Sequence, residues 1–594
     1  MADEKIPKVN TPNLVDLFTK ENIRLETVGI RKDRVYTSKK GLSPYTGEFG
    51  KAQKMHLLNR ALIGFSYKSY QEIKDMTLKQ SIDLLLTPEK PFSLPINDYY
   101  KDVSDNPDVV KADVPKGAVW VTAPEYIKDN GILNGMRTDS LKAWLSKQFV
   151  NQKTSVHWRM FLFYHNLLVT SLQNGGPVKN AFQYVDTLFK FSLGNYKDLI
   201  YHITLDPSML VYLNGNQNNK FSPDENYARE LQELFTVGKG PNSKFTEKDV
   251  AEMARLLTGW NFDWDKTMKT EGRTVVTNGY WNHDIGDKQF SEFYGNRKIS
   301  GANNPDRADG ELREAIDMIF TTDEVAKYMC RRIYSFFVNP MIEPATEDLI
   351  ITPLAKVFRD NKFEILPVLR TLLSSEHFFD SIHYNSIIKS PADFVIGINK
   401  EFELPVLDDK FVPIVPGEDL LYYEYRRYRG IHYQMNEFGM NMGDPPNVAG
   451  WPAYYQTPAF DLFWINSETI VKRAQYTDSL FNWGKALFYN NVTKTVTMQV
   501  RVDLAEYVRK FNTPENLDAL VDQLIDRLIN IPINSATRAR IIDRVLQGNT
   551  NPNYWTGAWY AFVGNPTADN RQVIQNRLAQ AMGLIFQYGE THLH

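Results

Sequence analysis

Apolar residues recur at helical spacing through most of this chain, and that periodicity limits the folds open to it. In 513–530, Leu517, Leu520, Val521, Leu524, Ile525, Leu528 and Ile529 fall on one face of a helix. Thr513 is the expected cap, and Pro514 suits the first helical position. In 321–338, Val325, Met329, Ile333, Phe336 and Phe337 align behind a capping-box spacing of Thr321 and Glu324. Strand signal is thin. The stretch 272–284, GRTVVTNGYWNHD, predicts a short hairpin with Asn278-Gly279 as its turn. The expected class is mainly α, a large multi-helix array with a short β-hairpin insertion.

At 594 residues the chain exceeds what one simple core supports, roughly 250–300 residues. The expected organisation is an extended N-terminal arm over 1–50 and a helical core over 51–490 with its β insertion near 272–300. A C-terminal helical segment over 491–594 packs on that core. The formal net charge of -3 recommends no nucleic-acid partner, which would want a basic stripe. A single cysteine, Cys330, excludes an internal disulfide and any multi-cysteine zinc site; in its helical run it reads as a small buried apolar residue. The most apolar run, 160–169, is too short for a transmembrane helix and contains His165 and Asn166. The first ten residues hold no apolar signal core, which leaves a cytoplasmic protein or a removed signal. Aromatic residues make up 13%, read first as packing and second as exposed rings for sugars or proteins.

The stretch 221–240, FSPDENYARELQELFTVGKG, packs three glutamates, an arginine and an asparagine into little more than three turns of expected helix. Ser222 is the expected N-cap, with Pro223 next and Glu225 closing a capping box. Tyr227, Ala228, Leu231, Leu234 and Phe235 make the apolar face, and Glu225, Arg229 and Glu233 pair at four-residue spacing. Gly238 stops the helix. A second helix follows, capped by Thr246 and Asp249, with Val250, Met253, Ala254 and Leu257 buried and Gly259 at its end. Two polar residues remain at the border of the first face, Asn226 and Glu230. A desolvated carboxylate at 230 has a raised pKa and suits acid–base work. Its alternative is a structural carboxylate bonded to a helix end or an arginine.

These two helices, NYARELQELFTVGKG and FTEKDVAEMARLLTGW, resemble the signature of a large bacterial family known as domain of unknown function eighteen-hundred. HLLNRALIGF (56–65), WRMFLFYHNLLVTS (158–171), LDPSMLVYLNGNQN (205–218), NHDIGDKQF (282–290), KSPADFVIG (389–397) and PPNVAGWPAY (445–454) resemble further blocks in the family's order. The resemblance runs over roughly 50–594. Phe235 stands where the family usually has histidine, and Leu62 where it usually has its first glycine, so no histidine chemistry carries over at 235. The resemblance implies an exported envelope or extracellular protein, often accompanied by a sulfatase-like companion family, and implies no catalytic residues.

Candidate sites therefore rest on chemistry. His165, His283, Asp284 and Glu230 have the ligand types for zinc or another divalent ion, although no HExxH-like spacing joins them. As an enzyme, a hydrolase of an envelope polymer would use Glu230 as acid or base. His165 or His283 would be shuttle or ligand, and Arg229 the anion holder. NMGDPPNVAGWP (441–452) either presents Trp451 to a glycan or partner or wedges it between helices while Asn447 bonds the backbone. Asn166, Asn226, Asn447 and Trp451 are the candidate binding residues. No GxSxG elbow, Walker loop or GxGxxG fingerprint is present. The leading expectation is a binding and assembly protein with a protein or polysaccharide partner; the hydrolase is the rival.

Overall fold

The computed structural model describes residues 38–90, 93–99, 114–122, 131–267, 273–407, 420–490, 495–529 and 531–594. Most of the arm expected over 1–50 lies outside them. Residues 39–594 form one compact unit. Its main helices are α1 (Lys51–Ala61), α2 (Gly131–Val150), α3 (His157–Leu167), α4 (Val178–Phe191), α5 (Glu225–Glu230), α6 (Glu247–Leu256) and α7 (Pro305–Phe320). They continue with α8 (Asp323–Phe337), α9 (Pro391–Glu401), α10 (Leu420–Glu437), α11 (Ser467–Phe481), α12 (Leu517–Leu528) and α13 (Ala568–Gln587). The class is mainly α, as the periodicity requires.

One hydrophobic cluster runs from Leu57 in α1 to Phe586 in α13. Helix α3 lies at its heart: every residue from His157 to Leu167 is buried, as expected of a helix apolar nearly all round. Helix α10 packs on α2, α9 on α10, and α11 on α13. Cys330 is buried in α8, and burial pushes its thiol pKa up, so it is a core residue.

The faces read from sequence are the faces buried. Val325, Met329, Ile333, Phe336 and Phe337 are all inside, and so are Leu517, Leu520, Val521, Leu524, Leu528 and Ile529. The caps differ. Thr321 ends α7 and its hydroxyl donates back to Met318 O at 2.6 Å, so the box with Glu324 is not made. Thr513 has φ +47°, and Asn516 caps α12 by accepting the Ala519 N–H. A backbone turning in from a neighbouring loop selects the residue whose side chain reaches the free N–H groups, and propensity alone does not fix which one.

Three two-stranded antiparallel sheets are present among the described residues. β1 (Trp260–Phe262) pairs with β2 (Val276–Asn278), β3 (Lys288–Gln289) with β4 (Lys298–Ile299), and β5 (Lys485–Asn490) with β6 (Thr495–Val500). The insertion near 272–300 thus holds a hairpin, but it is β3–β4. The Asn278-Gly279 pair is not a hairpin turn: Gly279 N–H donates to Gly259 O at 2.8 Å, and 276–278 pairs backward with 260–262. Gly259, at φ +86°, ends the α6 segment and makes that backward pairing sterically open.

Candidate functional site

His165 and Asn166, side by side near the end of α3, hold the loop 441–452. His165 Nε2 accepts the Gly443 N–H at 3.2 Å, so Nδ1 carries the proton and donates to the Tyr184 hydroxyl at 3.0 Å. Tyr184 in turn donates to Leu168 O at 2.8 Å. Asn166 Oδ1 accepts the Trp451 N–H at 2.8 Å. Glycine is required at both anchor points. Gly443 has φ +96° and a Cβ there would lie 2.4 Å from Leu172 Cδ1; Gly450 has φ +93° and a Cβ would lie 2.3 Å from Asn166 Oδ1. Burial pushes the His165 pKa down to about 4, against the pull of Asp444, which keeps the ring neutral and able to accept.

Trp451 is the wedge of the two readings. It is 2% exposed, with its ring edge-on to His165 at 5.6 Å. Asn447 is exposed; its Oδ1 accepts the Ala449 N–H at 2.9 Å and shapes the turn after the two prolines. Asp444 completes the fastening, paired with Lys142 at 2.6 Å and accepting the Ser171 hydroxyl at 2.6 Å.

The charged helix starts two residues later than its sequence suggests. Asn219 Oδ1 accepts the N–H groups of Phe221 and Ser222, which holds Ser222 in a turn. Asp224 becomes the N-cap and accepts the Asn226 N–H at 2.8 Å; Asn226 itself is exposed. From Leu231 to Thr236 the helix widens into a π turn, which the residue pattern gives no sign of. Gly238, at φ +81°, ends it as expected. Widening frees carbonyls that other helices then satisfy: Tyr328 donates to Leu234 O at 2.7 Å, and Tyr196 donates to Phe235 O. Gln232 inside the turn accepts the Tyr294 hydroxyl at 2.8 Å, tying the β insertion to the helix.

Arg229, the candidate anion holder, is paired with carboxylates of its own fold. It donates to Glu225 at 2.8 Å and to both oxygens of Glu247 at 3.0 and 2.7 Å, which staples α5 to α6. Glu230 is different. It is half-buried and accepts no hydrogen bond among the described residues. Burial pushes its carboxyl pKa up, Glu233 adds to the rise, and Lys239 and Arg229 oppose it.

The four suggested metal ligands are not brought together. Among the described residues no three His, Cys, Asp or Glu side chains group as a cation site. His283 Nδ1 meets Thr258 O at 2.8 Å and Nε2 meets Glu311 at 2.9 Å; Lys288 pairs with the same carboxylate at 2.5 Å. Asp284 is clamped by Arg255 at 2.8 and 3.1 Å. Burial acts against the Asp284 charge, yet Arg255 and the Gly286 N–H hold its pKa below the usual range. Three of the four therefore have locks of their own, His165 on the 441–452 loop and His283 and Asp284 between α6, α7 and the insertion, while Glu230 stands apart on α5.

The open surface lies elsewhere, along α10. A cavity of about 500 Å³ is lined by Tyr99, Tyr422, Arg426, Arg429 and Tyr433. A second, of about 450 Å³, is lined by Lys472, Gln475, Tyr476, Trp483 and Gln499. They adjoin at Gln434, Glu437 and Lys485, which line both. Tyr433 is 54% and Trp483 64% exposed, unusual for rings of that size in a chain that buries most of its aromatics. Gly484, at φ +84°, turns the chain from Trp483 into β5. Arg426 Nη1 donates to the Tyr422 hydroxyl at 3.2 Å, and Arg429 is paired with buried Asp98.

A family model described as "Protein of unknown function (DUF1800)" matches residues 56–583. The chain belongs to the DUF1800 family. No curated protein and no solved structure matches it. The clamp, the π-turn helix and the groove all fall within the part of the chain that the DUF1800 model covers.

Sequence reasoning passed over the groove. The signal was present: Tyr422, Arg426, Arg429 and Tyr433 fall four, three and four apart, one edge of a helix. What it lacked was any sign that β5–β6 and α11 leave that edge open.

Proposed function

We propose that this DUF1800 chain is a non-enzymatic binding protein of the cell envelope or exterior that holds a polysaccharide along α10. The observation that carries this reading is the pair of adjoining cavities with two broadly exposed rings, Tyr433 and Trp483, among amide side chains Gln434, Gln475 and Gln499. Sugar rings present C–H faces that stack on aromatic side chains and hydroxyls that bond to amides and charged groups. The supposed catalytic histidines support it from the other side, since both are committed to holding loops. The envelope setting and a sulfatase-like companion protein as partner are proposals that rest on the family resemblance.

Glycan-panel binding and affinity electrophoresis test the reading. Trp483→Ala and Tyr433→Ala are expected to weaken retention by a few-fold to tenfold each, about 0.5–1.5 kcal/mol per stacked ring, with the thermal midpoint little changed. Unchanged retention in both variants overturns it. Glu230 favours a second reading, a hydrolase, because its carboxyl is pushed up and accepts no hydrogen bond. Turnover of an envelope polymer that Glu230→Gln abolishes, in a folded protein, would establish that reading.

A further inference from the structure

The groove has an unbalanced centre. Its lining includes four cationic side chains, Arg426, Arg429, Lys472 and Lys485, and two acidic ones, Asp139 and Glu437. Arg429 is matched by Asp98, and Lys472 by Glu437 at 3.4 Å and Glu468 at 2.7 Å. Lys485 feels the charge of Glu437, which lines the same junction, without a close ion pair. It sits where the two cavities meet, half-buried; its ammonium donates to the Gln434 amide oxygen and lies 5.1 Å from the Tyr476 ring centroid. Among the described residues no carboxylate forms an ion pair with it. Just behind it Arg427, 5% exposed, bonds the Asn399 amide oxygen at 2.5 Å and leaves its Nε without a partner. Both groups are pushed down in pKa, by burial first; Arg427 lowers Lys485 further, and Glu437 opposes the fall.

Buried or half-buried cations in folded proteins are ordinarily answered by an anion. Here the ammonium's direct contacts are a neutral amide and an aromatic face; Glu437, which lines the same junction, is paired with Lys472, and the cavity opens onto the ammonium. We infer that Lys485 receives an anionic group, carboxylate or sulfate, of an acidic polysaccharide lying between Tyr433 and Trp483. The inference rests on the polysaccharide reading and narrows it to charged polymers. The ligand's charge would complete the pairing that the fold leaves open, and the flanking rings would take the neighbouring sugars.

Three probes separate the possibilities: polygalacturonate for carboxylate, dextran sulfate for sulfate, and neutral dextran. At low ionic strength one or both charged polymers are expected to bind about tenfold or more tighter than dextran, a preference that shrinks as salt is raised. Lys485→Gln should reduce that preference severalfold, whereas Lys248→Gln, the same charge change on the exposed face of α6, should not. Arg426→Gln, at an exposed position on the same lining, gives a second reading should Lys485→Gln fail to fold, and should also reduce it. Dextran binding as tightly as the charged polymers overturns the inference and leaves the polysaccharide reading standing. A preference lost equally in Lys248→Gln also overturns it, because only overall charge would then be at work. Binding to none of the three overturns both.

Discussion

At the scale of the residue, the polar positions that look most chemical serve as fasteners. Asn166 Oδ1 takes the buried Trp451 N–H at 2.8 Å. Asn166→Ala leaves that buried donor unpaired and should lower stability by about 1–3 kcal/mol, read as a fall in the denaturant midpoint. His165 adds a pH dependence whose sign is fixed by its direction. Its folded pKa, about 4, lies below the ordinary value of 6.5, so the unfolded chain binds more protons between the two. The stability is therefore present above pH 6.5 and is lost as pH falls towards 4, by about 3 kcal/mol at most for this group. His165→Gln should accordingly lose less stability between pH 7.5 and pH 4.5 than the parent, by urea titration at both pH values (about 7.5 and about 4.5). Asp206 and Glu89, both raised to about 7 by burial, work in the opposite direction, so the comparison with the variant isolates the histidine.

At the scale of the element, faces were legible and ends were not. The apolar stripe of α5 is a matter of 100° geometry and of hydrophobicity, both carried by the residues themselves. Tyr227, Ala228, Leu231 and Phe235 are buried accordingly. Its start depends on where the preceding chain arrives. Asn219 turns that chain early, so Asp224 rather than Ser222 meets the first free N–H. Asp224→Ala should cost about 1 kcal/mol and Ser222→Ala close to nothing, the reverse of what the capping-box spacing alone implies. Equal losses in chemical denaturation would show that both side chains cap. The π turn that follows was not legible at all. An extra residue in a helical turn is tolerated because hydroxyls from Tyr196 and Tyr328, 39 and 94 residues away in sequence from the carbonyls they cap, satisfy what it exposes.

At the scale of the whole molecule, residues 39–594 close around one core, and the last long helix is part of it. Gln575 in α13 makes the seam explicit. Its Oε1 accepts the Leu504 N–H at 2.9 Å, and its Nε2 donates to Phe481 O at 2.8 Å and Val502 O at 3.0 Å. Gln575→Leu leaves three buried backbone groups unanswered and should destabilise by several kcal/mol, on the order of 1–3 per group, seen as a lower thermal midpoint and faster proteolysis. No helix among the described residues is long and apolar enough to cross a membrane. By itself the sequence determined the helical class, the buried stripes and the family, because periodicity and local residue order survive without any knowledge of neighbours. Only the tertiary structure decided the rest. Whether a histidine fastens a loop or faces a ligand, and which edge of α10 stays open to solvent, depend on groups hundreds of positions apart meeting within hydrogen-bond reach.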